Sequence, residues 1–470
     1  MTTAFLLAAL LGHANLLPGV ILAQKPPPEA PAQPITLEVS DPMLAPVAAA
    51  PRELGSWDEA LGLLRQQSTD LRLALAQVEA AVGQRRVALA ALLPTLNGSV
   101  GVQYNVLGAP FFAGGAVGGG GGGGVSGGVG GFTLTSPLGT GTLAASLALV
   151  DVRAYYSLSA ATATRRAAEL SLDEARRQLT RTLAQALAQV AASERVAEVN
   201  RDNLCSALER LAIAQRRLEL GAGTRLDVIR LQQDSESARA SVVSGDETLR
   251  QARDTLALIL GQDAPVGLRQ GLSLEELLNA GQRECRSLQS LAERPDQEAA
   301  RTRVEAAERS VSAARAQYLP TLEAQSSVIA LTVDPGFARV PVWNIGAVLT
   351  LPFYDGGVRG GLVRQARAQE ETARQNALNV ERSGGVEVRR TRRQVDVTQR
   401  QRDIATQARE LAAENDRLTR RSFEVGTGTS QDLVVSAAAL RQAELNQVVS
   451  EFQFYQARIE SFLAEAACDW

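Results

Sequence analysis

Two phrases in the sequence carry the side chains best placed to do something specific. Residues 219–228 read ELGAGTRLDV, and residues 424–433 read EVGTGTSQDL. Each sets a Thr hydroxyl three residues before an Asp carboxylate: Thr224 before Asp227, and Thr429 before Asp432. That spacing fits a capping box. The hydroxyl accepts from the N3 amide, and the N3 carboxylate accepts from the N-cap amide at a helix start. Glycines precede both pairs, Gly221 and Gly223 in one phrase, Gly426 and Gly428 in the other. They mark tight turns that lead into helices.

Few other residues offer chemistry. The only His is His13, inside an apolar N-terminal segment. With that segment removed, no His remains for an acid–base pair, a Ser-His-Asp triad or a His-ligated metal. Cys205, Cys285 and Cys468 lie far apart with no C-x-x-C spacing, which argues against a thiolate metal site. The run 114–128, GGAVGGGGGGGVSGG, looks like a phosphate cradle only on the surface. It lacks G-x-x-x-x-G-K-[ST] and has no Lys and no helix opening behind it. It reads as a loop at a hairpin tip. No cofactor and no catalytic cluster is expected, so the sequence does not read as an enzyme. Net charge is −3 over 470 residues, which implies no nucleic-acid face.

Residues 1–23 are apolar and read as a secretory signal ending near Ala23. No Cys follows the apolar run, which excludes bacterial lipid anchoring at that point. Residues 24–54, rich in Pro and Ala, read as a flexible lead-in. No later stretch holds 18 consecutive apolar residues, so no transmembrane helix is expected, while a membrane β-barrel stays open.

The two Gly-Thr phrases lie 205 residues apart, and they belong to a larger repeat. SWDEA at 56–60 answers SLEEL at 273–277, each with Ser as N-cap before acidic residues. VEAA occurs at 78–81 and 304–307, LPTL at 93–96 and 319–322. LALV at 147–150 matches LTLP at 349–352. The units are 55–261 and 293–470, with 262–292 between them. Within each the order is short helix, helix, LPTL, a β region, a long helix, the Gly-Thr turn and a last helix.

No Pro or Gly interrupts 153–220, and a helix of that length spans roughly 100 Å. Its counterpart is 358–425, with a weak point at Gly384-Gly385. Shorter helices are expected at 69–92, 226–260, 295–318 and 431–466. Two short helices stacked end to end nearly match one long helix, so each half can pack a long rod against two short ones. Such Ala-rich rods suit coiled coils or extended bundles. Charge runs such as RRTRR at 389–393 read as solvated faces. After each LPTL the period changes from about 3.6 to 2. Residues 96–106, 143–149, 322–330 and 344–351 alternate apolar with small or polar side chains, at the length of transmembrane β-strands. Four strands cannot close a membrane barrel, whose minimum is about eight. Partner chains are needed.

The paired LPTL, the FYDGG at 353–357 entering a long helix, RPDQEAA at 294–300 and the twin Gly-Thr-x-x-Asp turns resemble the TolC-type outer-membrane efflux protein family of Gram-negative bacteria. The resemblance covers the chain from about residue 55 onward. It implies a mainly α fold with a small β part, assembled as a homotrimer. Four strands per chain would build a 12-stranded outer-membrane barrel, and long antiparallel helical rods a periplasmic tunnel. It implies a passive export duct that works with a periplasmic adaptor (membrane fusion) protein and an inner-membrane pump. By position, Gly221, Gly223, Thr224 and Arg225 form one adaptor-contact tip, and Gly426, Gly428 and Thr429 the other. Gly428 stands where the family commonly carries Arg. Asp432, with Asp227, would be a periplasmic gate residue, matching the first of two acidic rings; the second ring position falls on Val435. Capping and pore-facing roles for these Asp residues both stay open. Counting along the rods sets Cys285 and Cys468 near the level where the short helices meet. That makes Cys285–Cys468 the expected pairing if a disulfide forms in the oxidising periplasm. The alternative class is a barrel-anchored coiled-coil stalk without a lumen.

Overall fold

The computed structural model describes residues 39–104, 133–134, 137–269, 271–334 and 342–470. The expected signal at 1–23, the lead-in up to residue 38, the glycine run at 114–128 and most of the second hairpin turn lie outside the described residues.

The elements in chain order are β1 (Arg52–Leu54), α1 (Trp57–Gln67), α2 (Thr69–Ala90), β2 (Thr95–Gln103), β3 (Thr133–Leu134), β4 (Leu138–Val150), α3 (Val152–Glu219) and α4 (Arg225–Leu260). Then come β5 (Val266–Leu268), α5 (Leu274–Arg283), β6 (Cys285–Ser287), α6 (Pro295–Ala316), β7 (Thr321–Leu331), β8 (Val333–Asp334) and β9 (Val342–Thr350). The chain ends with α7 (Val358–Glu424), α8 (Ser430–Leu463) and β10 (Ala466–Cys468). Local signals set these starts. Ser56 Oγ accepts from the Glu59 amide at 3.2 Å, and Asp151 Oδ1 from the Ala154 amide at 2.9 Å, each capping a helix whose first turn would otherwise leave amides bare.

The long helices have 68 and 67 residues, about 100 Å each. In the first half α3 packs on α2 and α4, and in the second α7 packs on α6 and α8. Contacts of α3 with α6 and α8 join the halves. Around the bundle the order is therefore α2-α3-α6-α7 toward the four-stranded sheet and α4-α3-α8-α7 toward the Gly-Thr turns. Helix α7 runs unbroken through the expected weak point at Gly384-Gly385. The reason is packing: a Cβ on Gly384 would stand 3.1 Å from Gln297 Nε2 and 3.6 Å from Arg294 Cζ, so the glycine lets two neighbours close in.

Strands β2, β4, β7 and β9 form one antiparallel sheet in that order. Its polar face carries cross-strand hydroxyl pairs, Thr95 with Ser146 at 3.0 Å and Ser99 with Thr142 at 2.6 Å. The alternate positions are apolar and bare; Val100 is 90% and Ile345 73% exposed.

Around the middle of α3, where the shorter helices end, sits a collar. Parallel β1–β5, helices α1 and α5, and antiparallel β6–β10 surround a core of Leu54, Trp57, Leu64, Leu256, Leu260, Val266, Ile459 and Leu463. Cys285 and Cys468 face each other in the β6–β10 register and are joined by a disulfide that closes 183 residues. Cys205 is free and half-buried on α3. The last turn of α8 ends on two buried arginines. Arg177 donates to the Leu463 carbonyl and Arg294 to the Ala464 carbonyl, both at 2.9 Å. Burial works against the Arg294 charge, but Asp296 at 2.8 Å and Glu387 at 2.9 Å outweigh it and raise its pKa. The Arg389 and Arg390 side chains, read as part of a solvated face, are exposed.

Residues 39–54 correct the sequence reading. They are an ordered strap and a strand rather than a flexible lead-in. The cause is three arginines on α3 and α4, which composition alone does not place beside this segment.

Candidate functional site: the twin helix tips

Both rods end in the same way because the same residues recur. At the first tip the Gly221 amide donates to the Leu218 carbonyl at 3.0 Å and the Ala222 amide to Arg217 at 2.9 Å. At the second the Gly426 amide donates to Phe423 at 3.1 Å and the Thr427 amide to Ser422 at 3.0 Å. The closing residue must be left-handed, and Gly221 (φ 71°) and Gly426 (φ 84°) supply that. Gly223 and Gly428 serve a different need. A Cβ on Gly223 would lie 3.1 Å from the Leu218 nitrogen, and one on Gly428 3.0 Å from the Phe423 nitrogen.

The next helices open on complete capping boxes. Asp227 Oδ2 accepts from the Thr224 amide at 3.1 Å and its hydroxyl at 2.7 Å, while Thr224 Oγ1 accepts from the Asp227 amide at 3.2 Å. Asp432 Oδ2 accepts from the Thr429 amide at 3.3 Å and its hydroxyl at 2.7 Å, and Thr429 Oγ1 accepts from the Asp432 amide at 3.2 Å.

Beyond the caps the two tips differ. The Ser430 hydroxyl donates to the remaining oxygen of Asp227, and Arg230 lies 3.4 Å from the same hydroxyl. Arg217, at the end of α3, donates to the Phe423 carbonyl at the end of α7, with its guanidinium 4.5 Å from the Phe423 ring centre. Ala214, Leu231, Phe423 and Leu433 are buried beneath these contacts and fill the space between the hairpins. Deeper, the buried pair Arg210–Asp234 ties α3 to α4 at 2.9 Å, and Ser436 to Asp416 at 3.1 Å ties α8 to α7. The Ser430 hydroxyl, then the Thr224 hydroxyl and amide and the nearby Arg230 charge, hold the Asp227 carboxyl below its ordinary range. Asp432 and Val435 are exposed. No second contact of Asp432 exists among the described residues. Arg225 is exposed, with no side-chain bond or ion pair among them.

Thus the structure brings Asp227 and the second tip together and leaves Asp432 free on the surface of the single chain. Sequence reasoning missed Ser430, Arg217 and Arg230. One signal was present: at the residue after the capping Thr, the repeats differ, Arg225 against Ser430. Among the described residues no group of three His, Cys, Asp or Glu could hold a metal, and no helix is long and apolar enough to cross a membrane.

Comparison with known proteins gives four further findings. The sequence model for the outer membrane efflux protein family matches residues 60–262 and 287–460. Among relatives, the fusaric acid resistance protein FusA of Burkholderia cepacia is 30% identical over 153 residues, 31% of this chain and only 28% of FusA. The probable outer membrane lipoprotein SilC of Salmonella typhimurium is 24% identical over 397 residues, 81% of this chain and 78% of SilC. The crystal structure of the outer membrane protein VceC of Vibrio cholerae superposes with a TM-score of 0.69 at 19% identity, over 87% of this chain and 95% of VceC; at that identity the likeness speaks for the fold.

Proposed function

The chain belongs to the outer membrane efflux protein family, and from that premise we propose that it is the channel-tunnel of a tripartite efflux or type I secretion system. It is an outer-membrane channel-family protein and not an enzyme. Its work is geometric: it offers a passive, water-filled path from an inner-membrane pump to the exterior, and the pump supplies the energy.

One observation carries this reading, namely that the chain is an open wedge with the same two sides bare at every level. In the sheet the unpaired edges are β2 and β9. In the rods the outermost helices are α7 on one side, α2 and α4 on the other. The bare side of α7 carries Val397, Ile404, Leu411 and Leu418, with Val425 at its C-cap, a strict seven-residue repeat exposed in the single chain. A heptad of this kind is built to meet another helix. Each edge differs from the other, so copies join head to tail and close into a ring. Three copies supply 12 strands, above the barrel minimum of about eight.

At the far end the tips close the duct and meet the periplasmic adaptor. Gly221, Gly223, Thr224, Arg225, Gly426, Gly428 and Thr429 form the contact surface. Asp227 holds the tips together, and Asp432 supplies negative charge at the entrance. The test is conductance of the purified protein in planar bilayers, with crosslinking in detergent. Trimers that conduct in discrete openings are expected. Monomers alone, or trimers without conductance, would favour a stalk with no lumen.

A further inference from the structure

Among the described residues the strap at 39–51 has no counterpart in the second repeat, and its contacts are specific. Its sequence, VSDPMLAPVAAAP, has Pro at 42, 46 and 51, which removes amide donors and keeps the segment out of helix and sheet. Asp41 Oδ1 accepts from the Met43 amide at 2.8 Å and caps a short turn at 42–44. Its other oxygen takes two donors from Arg239 of α4, at 2.8 and 3.2 Å. Farther along, Arg201 of α3 donates to the Ala45 carbonyl at 3.1 Å, and Arg253 of α4 to the Ala48 carbonyl at 2.8 Å. Val39, Met43 and Leu44 lie on the seam where Leu204, Ala207 and Leu208 of α3 meet Ala238 and Val242 of α4.

The lengths agree with a segment laid along the hairpin. From Arg239 to Arg253 the helix rises about 21 Å at 1.5 Å per residue. From residue 41 to 48 the chain, tightened by its turn at 42–44, covers about 19 Å, and the reach of the arginine side chains takes up the difference. The strap therefore runs beside the rods, starting about 20 Å above the first tip. It spans both helices, gripped from each by arginine.

We propose that residues 39–51 are a brace that ties α3 to α4 and sets the stiffness of the hairpin ending at Gly221, with the Asp41–Arg239 ion pair as its latch. Among the described residues the second hairpin, α7–α8, has no such brace, so the duplicated halves differ in rigidity where their turns are nearly identical. The backbone carbonyls at 45 and 48 hold the strap irrespective of side chain. Within the strap, Asp41 is the side chain whose substitution releases a charged contact to the helices.

The experiment is hydrogen exchange on the full-length protein in detergent. Asp41→Asn keeps an acceptor for the Met43 amide and removes the charge. Exchange in the strap and in the tip-side half of α4 should rise about threefold, the effect of losing a partly exposed ion pair, with α8 unchanged. The exchanged pair Asp41→Arg with Arg239→Asp should recover slow exchange. A second variant, Asp41→Asn with Leu44→Gln, also removes apolar packing and should loosen α4 further. Wild-type exchange in α4 for both variants would overturn the proposal. So would a rise shared equally by α8, which would indicate general destabilisation.

Discussion

The hydroxyl of Ser430, first residue of α8, donates to the carboxylate of Asp227, third residue of α4, across 203 residues of sequence. The same carboxylate closes the capping box of its own helix. One Asp therefore serves its helix and the neighbouring hairpin at once. Substituting Ser430 by Ala leaves both Thr caps intact and removes the bond between tips. Single-channel recordings should show longer openings, while the melting temperature changes little, because a partly exposed bond contributes about 1 kcal/mol or less. Unaltered gating would mean the tips are held by Arg217 and the apolar contacts alone.

Acid should loosen the same clasp. The folded Asp227 carboxyl is depressed, first by the Ser430 hydroxyl. A depressed carboxyl contributes stability that is complete above its unfolded value, about 4, and is lost as pH falls through the folded value. Opening should then increase only below about pH 4. Asp227→Asn should already gate loosely at neutral pH and show a smaller acid step, read from open probability against pH.

Asp432 separates charge from capping. Asp432→Asn retains an acceptor for Thr429 and removes the negative charge. Asp432→Ala removes both, at a cost of about 1 kcal/mol to the helix start. If three copies ring the entrance, the pore prefers cations. Both variants should then lower the preference equally, measured as reversal potential in a salt gradient. Wild-type selectivity in both would leave Asp432 a helix cap only.

The disulfide fastens the chain end to the collar. Reducing Cys285–Cys468, or replacing both by Ser, frees a loop of 183 residues, and closures of that size contribute about 2–5 kcal/mol. Denaturant unfolding with and without reductant should differ for the wild type and coincide for the double Ser variant. Trp470, whose indole donates to Thr180 at 2.9 Å, is a local fluorescent probe of the released end.

Arg294 joins three elements through one side chain. It is 1% exposed, and its guanidinium satisfies Asp296, Glu387 and the end of α8 together. Arg294→Ala takes a donor from the buried Ala464 carbonyl and from two half-buried carboxylates, though Glu387 keeps Arg181 and Asp296 keeps the Gln297 amide, a loss of about 2–3 kcal/mol. Arg294→Lys should rescue only part, since one ammonium cannot match the forked geometry. Unfolding midpoints of the two variants test the order.

What the sequence determined by itself was local or periodic. The Gly-Thr turns, the Thr-x-x-Asp boxes, the rods without Pro and the alternating strands each depend on residues within a few positions of one another. Duplication printed every one of them twice. The insufficiency of four strands also pointed beyond a single chain. Only the tertiary structure decided which of two look-alike Asp residues is engaged. Asp227 meets Ser430 because the bundle sets α4 beside α8 at the tips, and no spacing in the sequence encodes that distance. The strap was hidden for the same reason. A Pro- and Ala-rich segment looks flexible until Arg201, Arg239 and Arg253, on two helices far along the chain, are found to line one seam. Gly384 is the third case: it reads as a helix breaker, yet the space it leaves is filled by Gln297 and Arg294, and packing outweighs propensity.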